Sequence, residues 1–145
     1  MTAEEYLKGI SQIKYQLNVL DREREQIRNM IYSVKGVDYV KTRTGSKTSD
    51  ITDKLERVER LTRKVNEQEI RLLNTYEEAR VRIEDIGDNF YSSFLIDYYL
   101  NGVTLDTFEE IFHYSRSRIY EIKKKSIELF GATHENWLSS LDKLN

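Results

Sequence analysis

The chain contains no proline and no cysteine, only six glycines and two histidines, and a net charge of just -2 over 145 residues. Average usage would put roughly seven prolines in a chain of this size, so nothing except glycine is built to stop a helix. Without cysteine there is no disulfide framework, no thiolate nucleophile and no sulfur-based zinc site, which fits a protein of a reducing compartment. No window approaches the ~18 consecutive apolar residues of a membrane span, and Met1-Thr2-Ala3-Glu4-Glu5 carries neither a basic flank nor an apolar run. The expectation is a cytoplasmic protein with no membrane partner. The small net charge excludes uniform coating of nucleic acid, so any binding to phosphate must come from local clusters of lysine and arginine.

One third of the residues are charged, with both signs interleaved, as long solvated helices require. Positions 6, 10, 13, 17, 20, 24, 27, 31 and 34 read Tyr, Ile, Ile, Leu, Leu, Arg, Ile, Ile, Val, a heptad stripe broken only by Arg24. Such a narrow seam needs a partner helix. Thr2 serves as its N-cap, with Glu4 and Glu5 in the first turn favoured by the helix dipole. From Lys35 to Thr48 the pattern dissolves into Gly36, Gly45, hydroxyl residues and the cations Lys35, Lys41, Arg43 and Lys47, which reads as a solvated loop. Ser49 or Asp50 then caps a second helix whose seam runs 51, 55, 58, 62, 65, 69, 72, 76, 79, 83, 86, with Thr62 and Glu69 as its polar interruptions. Two helices of this length on a short connection predict an antiparallel hairpin roughly 50 Å long. Its uncovered face predicts self-association, most simply as a dimer.

After Gly87 the texture changes to short apolar groups with frequent breaks. The predicted fold class is therefore all-α, a helical hairpin or coiled coil over residues 1–87 followed by a compact module of short helices over 88–145. Asp88 can cap a helix carrying Phe90, Tyr91, Phe94, Leu95 and Tyr98, ended by Asn101-Gly102. Thr104 caps a short helix with Leu105, Phe108, Ile111 and Phe112. A turn at His113-Tyr114 leads to Ser115, which caps a third helix with Ile119, Ile122, Ser126, Leu129 and Phe130 inward. Helical geometry places Ser117, Tyr120, Glu121 and Lys124 on its outer face, flanked by Arg116 and Lys123 on one edge and Arg118 and Lys125 on the other. From Ser115 to Lys125 there are five cations and one acid, a local charge of +4 in a protein whose total is negative. In a recognition helix, Arg116 and Arg118 would meet base edges and Lys123, Lys124 and Lys125 would meet phosphates, with Ser115, Ser117, Tyr120 and Glu121 completing the expected DNA-contact set. The competing reading of the same pattern is a solvated amphipathic helix with a lysine run. In the tail, Thr133 is the expected cap of a final helix, and Trp137 reads as a packing residue.

The stretch from Gly102 through Val-Thr-Leu-Asp-Thr-Phe-Glu-Glu-Ile-Phe-His-Tyr to Ser115 and on to Ile122 resembles region four of bacterial primary sigma factors, a helix-turn-helix. Together with the opening Met-Thr-Ala-Glu-Glu-Tyr-Leu and Tyr98-Tyr99-Leu100-Asn101-Gly102, nearly the whole chain resembles a family of phage and prophage proteins related to phage late-operon transcriptional activators. The resemblance implies sequence-specific binding of double-stranded DNA in control of phage genes, with host RNA polymerase as a candidate partner and no cofactor. Two positions depart from that pattern: Glu109 stands where alanine is usual and His113 where glycine is usual. Glu109 must then reach past the contact between the motif helices, and His113 must take a left-handed backbone or shift the turn. Competing functions are a packaging protein like a phage small terminase subunit, or a helical adaptor that binds no DNA. Catalysis is not expected, because the histidines lie in a turn and beside a cap, with no phosphate loop and no metal-ligand spacing.

Overall fold

The computed structural model describes the backbone of residues 1–41 and 48–144, and side chains outside residues 34–49. The described residues are helical, with no strand among them. The elements are α1 (Ala3–Ile10), α2 (Gln12–Lys41), α3 (Thr48–Glu84), α4 (Asn89–Leu95), a π-helical turn (Ile96–Leu100), α5 (Leu105–Phe112), α6 (Arg116–Thr133) and α7 (Glu135–Lys143). Thr2 closes the start of α1 in a capping box with Glu5, its hydroxyl accepting from the Glu5 amide at 3.1 Å while the Glu5 carboxylate accepts from the Thr2 amide at 3.0 Å.

The connection between the long helices is shorter than the expected 35–48 loop. α2 runs on through Gly36 to Lys41, and α3 already begins at Thr48. A single glycine costs a helix only about 1 kcal/mol relative to alanine, and no proline follows to end it. The side chains of Lys35, Lys41, Arg43 and Lys47 lie outside the described residues.

Contacts divide the chain into two units, one of residues 16–72 and the other of residues 1–15 with 73–145. Within residues 16–72, Leu20, Ile27, Val58 and Val65 form a buried cluster, with Ile31 and Leu72 against it. Arg24, the polar break in the first seam, donates to Glu69 at 2.6 Å and to Asn66 at 3.2 Å, so the interruptions of the two seams meet and satisfy each other. Thr62 is satisfied locally, donating to the Val58 carbonyl at 2.9 Å.

The second unit groups differently from a boundary at Gly87. α1 joins the C-terminal helices because its apolar edge is needed there: Leu7 and Ile10 are buried, and α1 packs against α6 and the π-helical turn. A Cβ built on Gly131 of α6 would stand 3.4 Å from that of Ala3, so the two helices approach closely at a small residue. α4 and α5 also pack on α6, around Phe94, Leu95, Phe108, Ile119, Ile122 and Phe130. From the end of α3, Ala79 and Ile83 are buried, and the Ile83 carbonyl accepts from the Ser92 hydroxyl at 3.0 Å.

Asp88 caps α4 as its sequence position suggests, accepting from the Phe90 and Tyr91 amides. The π-helical turn is not encoded in any pattern we can name; its end at Asn101 is followed by Gly102 at φ +71, a conformation glycine adopts without cost. The expected helix start at Thr133 is corrected. α6 continues through Gly131 to Thr133, whose hydroxyl bonds back to the Leu129 carbonyl at 2.8 Å, and His134 is the junction to α7. His134 is itself buried, its Nε2 lying 2.5 Å from the Arg82 carbonyl. Trp137 packs edge-on to Tyr6 at 4.8 Å and carries the Arg82 guanidinium over its ring at 3.5 Å.

Tyr99 is 4 % exposed, and its hydroxyl has no hydrogen-bond partner among the described residues. A buried polar atom left unpaired costs on the order of 1–3 kcal/mol. We expect Tyr99→Phe to raise unfolding stability by about 1 kcal/mol, read as a higher urea midpoint at unchanged slope; a lower midpoint would show that the hydroxyl is stabilising. Burial also pushes the Tyr99 phenol up to about 12, with Tyr98 and Glu4 adding to it. Burial does the same to Tyr6, raised to about 12 with help from Glu78 and against the opposing pull of Arg82. The unfolded chain sheds these protons near pH 10 and the folded chain holds them, so stability is full below pH 10 and falls between about 10 and 12. Thermal melts across that window should show a smaller loss for Tyr6→Phe/Tyr99→Phe than for the unmodified chain.

Candidate nucleic-acid interface

α5 and α6 are joined by the turn His113-Tyr114-Ser115, and both helices start at side-chain caps. The Thr104 hydroxyl accepts from the Thr107 amide at 3.3 Å, and the Ser115 hydroxyl accepts from the Arg118 amide at 3.2 Å. Of the two outcomes open to His113, the left-handed one holds: it sits at φ 57, ψ 35 and ends α5, its amide donating to the Glu109 carbonyl at 2.9 Å. A non-glycine residue there costs of order 1 kcal/mol, offset by the helices packed on either side.

α6 is held from below by Ile119, Ile122, Ser126 and Phe130, all buried. Leu129, expected among them, is half-buried. Ser126 fits at zero exposure because its hydroxyl donates to the Ile122 carbonyl at 2.7 Å, which removes the cost of a buried polar atom. That seating leaves Ser115, Ser117, Arg118, Tyr120, Glu121, Lys124 and Lys125 exposed, Tyr120 at 52 %.

Two of the nine expected contact residues are placed otherwise. Arg116 is committed to α5: its Nε donates to Glu109 Oε1 at 2.9 Å, its Nη2 to Glu109 Oε2 at 3.3 Å, and it forms a further ion pair with Asp106. Glu109 is therefore compensated across the α5–α6 turn, because Arg116, the first residue of α6, folds back over it. Lys123 is half-buried, with its ammonium 4.9 Å from the centre of the Tyr98 ring. It covers aromatic surface more than it offers charge to solvent.

Arg118 is exposed but oriented. Its Nη1 donates to Glu121 at 3.1 Å, and its guanidinium carbon stands 5.8 Å from the Tyr114 ring centre. Tyr114 was absent from the sequence-derived set, although an aromatic residue four positions before an arginine across a helix start is a signal for such stacking. The exposed cationic groups of the face are thus Arg118, Lys124 and Lys125, interleaved with Ser117 and Tyr120 as hydrogen-bonding groups. No cluster of metal-ligating residues exists among the described residues, and no helix among them is long and apolar enough to cross a membrane.

Compared with known proteins, the chain matches no family model, no curated protein and no solved structure.

The Arg116–Glu109 pair is testable as a fold element. Because the arginine side chain is 41 % exposed, a double-mutant cycle with Arg116→Ala and Glu109→Ala should give a coupling of about 0.5–1 kcal/mol. Additive effects in urea unfolding would mean that the pair contributes nothing to joining the two helices.

Proposed function

We propose that the chain is a sequence-specific double-stranded DNA-binding protein of phage or prophage gene regulation, in which α5, the turn and α6 act as a helix-turn-helix preceded by a helical hairpin. The observation that carries this reading is the division of α6: one edge is fully buried in its own unit, and the opposite face presents Ser117, Arg118, Tyr120, Glu121, Lys124 and Lys125. A helix fixed on one side and cationic on the other can enter a major groove without losing its packing. The resemblance to region four of sigma factors and to late-operon activators supports the same assignment, with host RNA polymerase as the second partner it suggests.

Roles follow from position. Arg118, in the first turn of α6 and steadied by Tyr114, is placed to donate two hydrogen bonds to a guanine edge. Ser117, Tyr120 and Glu121 supply further contacts to bases or sugar, while Lys124 and Lys125 meet phosphates where the helix leaves the groove. Arg116 serves as the link to α5, so base reading begins one residue later than the sequence pattern suggests.

Selection of bound sites from random duplex should return a defined motif. Arg118→Ala should cost on the order of 1–3 kcal/mol on that motif and relax preference at one base position. Lys124→Ala/Lys125→Ala should weaken binding to all sequences and make the dependence on salt shallower by about 2. Arg116→Ala should leave base preference intact. Failure to enrich any motif, with equal binding by all variants in gel shifts, would remove this assignment.

A further inference from the structure

The long helix α3 carries a second charged feature that the α6 interface does not use. Taking 100° per residue and the 3,4 spacing of a helix face, Lys54, Arg57, Leu61, Lys64, Gln68 and Arg71 fall within an arc of about 100°. No carboxylate lies in that row. Glu59 lies on the other flank of the buried seam of Val58 and Val65, and Glu56 and Glu67 lie on the outward face that borders the row. The row itself is therefore purely cationic in its charges, although the stretch as a whole is mixed in sign.

Lys54, Arg57, Lys64 and their neighbour Arg60 are all exposed, and no ion pair among the described residues holds any of the four. Elsewhere on the long helices Arg24 is paired with Glu69, Arg28 with Glu25, Arg80 with Glu84 and Arg82 with Glu78, whereas Arg22 and Arg63 are exposed without an ion pair among the described residues. Asp53, Glu56 and Glu67 are within a turn of the row, but an exposed pair of that kind is worth only ~0–1 kcal/mol and yields readily to a polyanion.

We propose that this row on α3 is a second nucleic-acid surface, binding the phosphate backbone of duplex DNA without reading its sequence. From Lys54 to Arg71 the row is about 26 Å long at 1.5 Å per residue. Duplex DNA carries one charge per ~1.7 Å of axis, so roughly fifteen phosphate charges lie along that length. The row has cations at intervals and no carboxylate at its own positions. It offers no apolar centre for a protein partner beyond Leu61, which is 42 % exposed. The inference rests on the DNA-binding reading of α6 and adds a surface to it.

The test is the salt dependence of full-chain binding to two duplexes of equal length, one bearing the selected motif and one of random sequence. For Lys54→Gln/Arg57→Gln/Lys64→Gln, the slope of log affinity against log salt should become shallower by about 2–3 on both duplexes, because each phosphate contact contributes ~0.9. The ratio of affinities for the two duplexes should stay at the unmodified value. The charge-keeping Lys54→Arg/Arg57→Lys/Lys64→Arg should retain the full slope. An unchanged slope in the glutamine variant, or an equal loss in the charge-keeping one, overturns the α3 surface while leaving α6 as the reader. Absence of any binding by the unmodified chain at low salt overturns the α6 reading, and this inference with it.

Discussion

The burial of one edge of α6 is the constraint from which the rest of its unit follows. Ile119, Ile122, Ser126 and Phe130 lie on a single line of that helix, and α1, α4 and α5 are each packed against it. A helix of 18 residues held on several sides along one edge cannot rotate about its axis, so the residues of its other face have a fixed exposure. Helix formation alone would not achieve this, since most helical stability in a folded protein comes from the packed face. The zero exposure of Ser126 shows how tight the seat is. A small side chain that satisfies its own hydroxyl through the preceding turn admits neighbouring helices closer than a leucine would.

Much of this was legible in the residues. The helical class followed from the absence of proline and from the heptad rows, and the caps at Thr2, Asp88, Thr104 and Ser115 were readable because each is a short oxygen-bearing side chain just before an apolar repeat. The inward residues of α6 were readable for the same reason, with Leu129 as the exception. What was not legible depends on distant partners. Nothing local to α1 says that it would pack against α6, with Ile10 buried there instead of continuing a seam with α3. The end of α2 and the start of α7 were misplaced because glycine and threonine were read as punctuation. Gly36, Gly131 and Thr133 all lie inside helices.

The fate of Arg116 shows the same limit in the site itself. Its charge was visible, but whether that charge faces solvent depends on which carboxylates the fold brings near it. Asp106 and Glu109 are seven to ten positions away, on another helix. A count of basic residues therefore overstates the face by Arg116 and, through Tyr98, by Lys123. The α3 row errs in the opposite direction. There the six cations and four carboxylates from Lys54 to Arg71 hide a row without acids that only the angular positions reveal.

The single tryptophan of the chain stands where Tyr6 from α1, Arg82 from α3 and His134 at the α6–α7 junction converge. Indole emission consequently reports on one meeting point shared by three segments that are far apart in sequence, around residues 6, 82 and 134–137. Any partial opening that lifts the first helix, or peels the last one, changes the surroundings of that chromophore while the backbone remains helical. Emission and circular dichroism recorded together would separate loosening of this junction from melting of the helices, with no label attached.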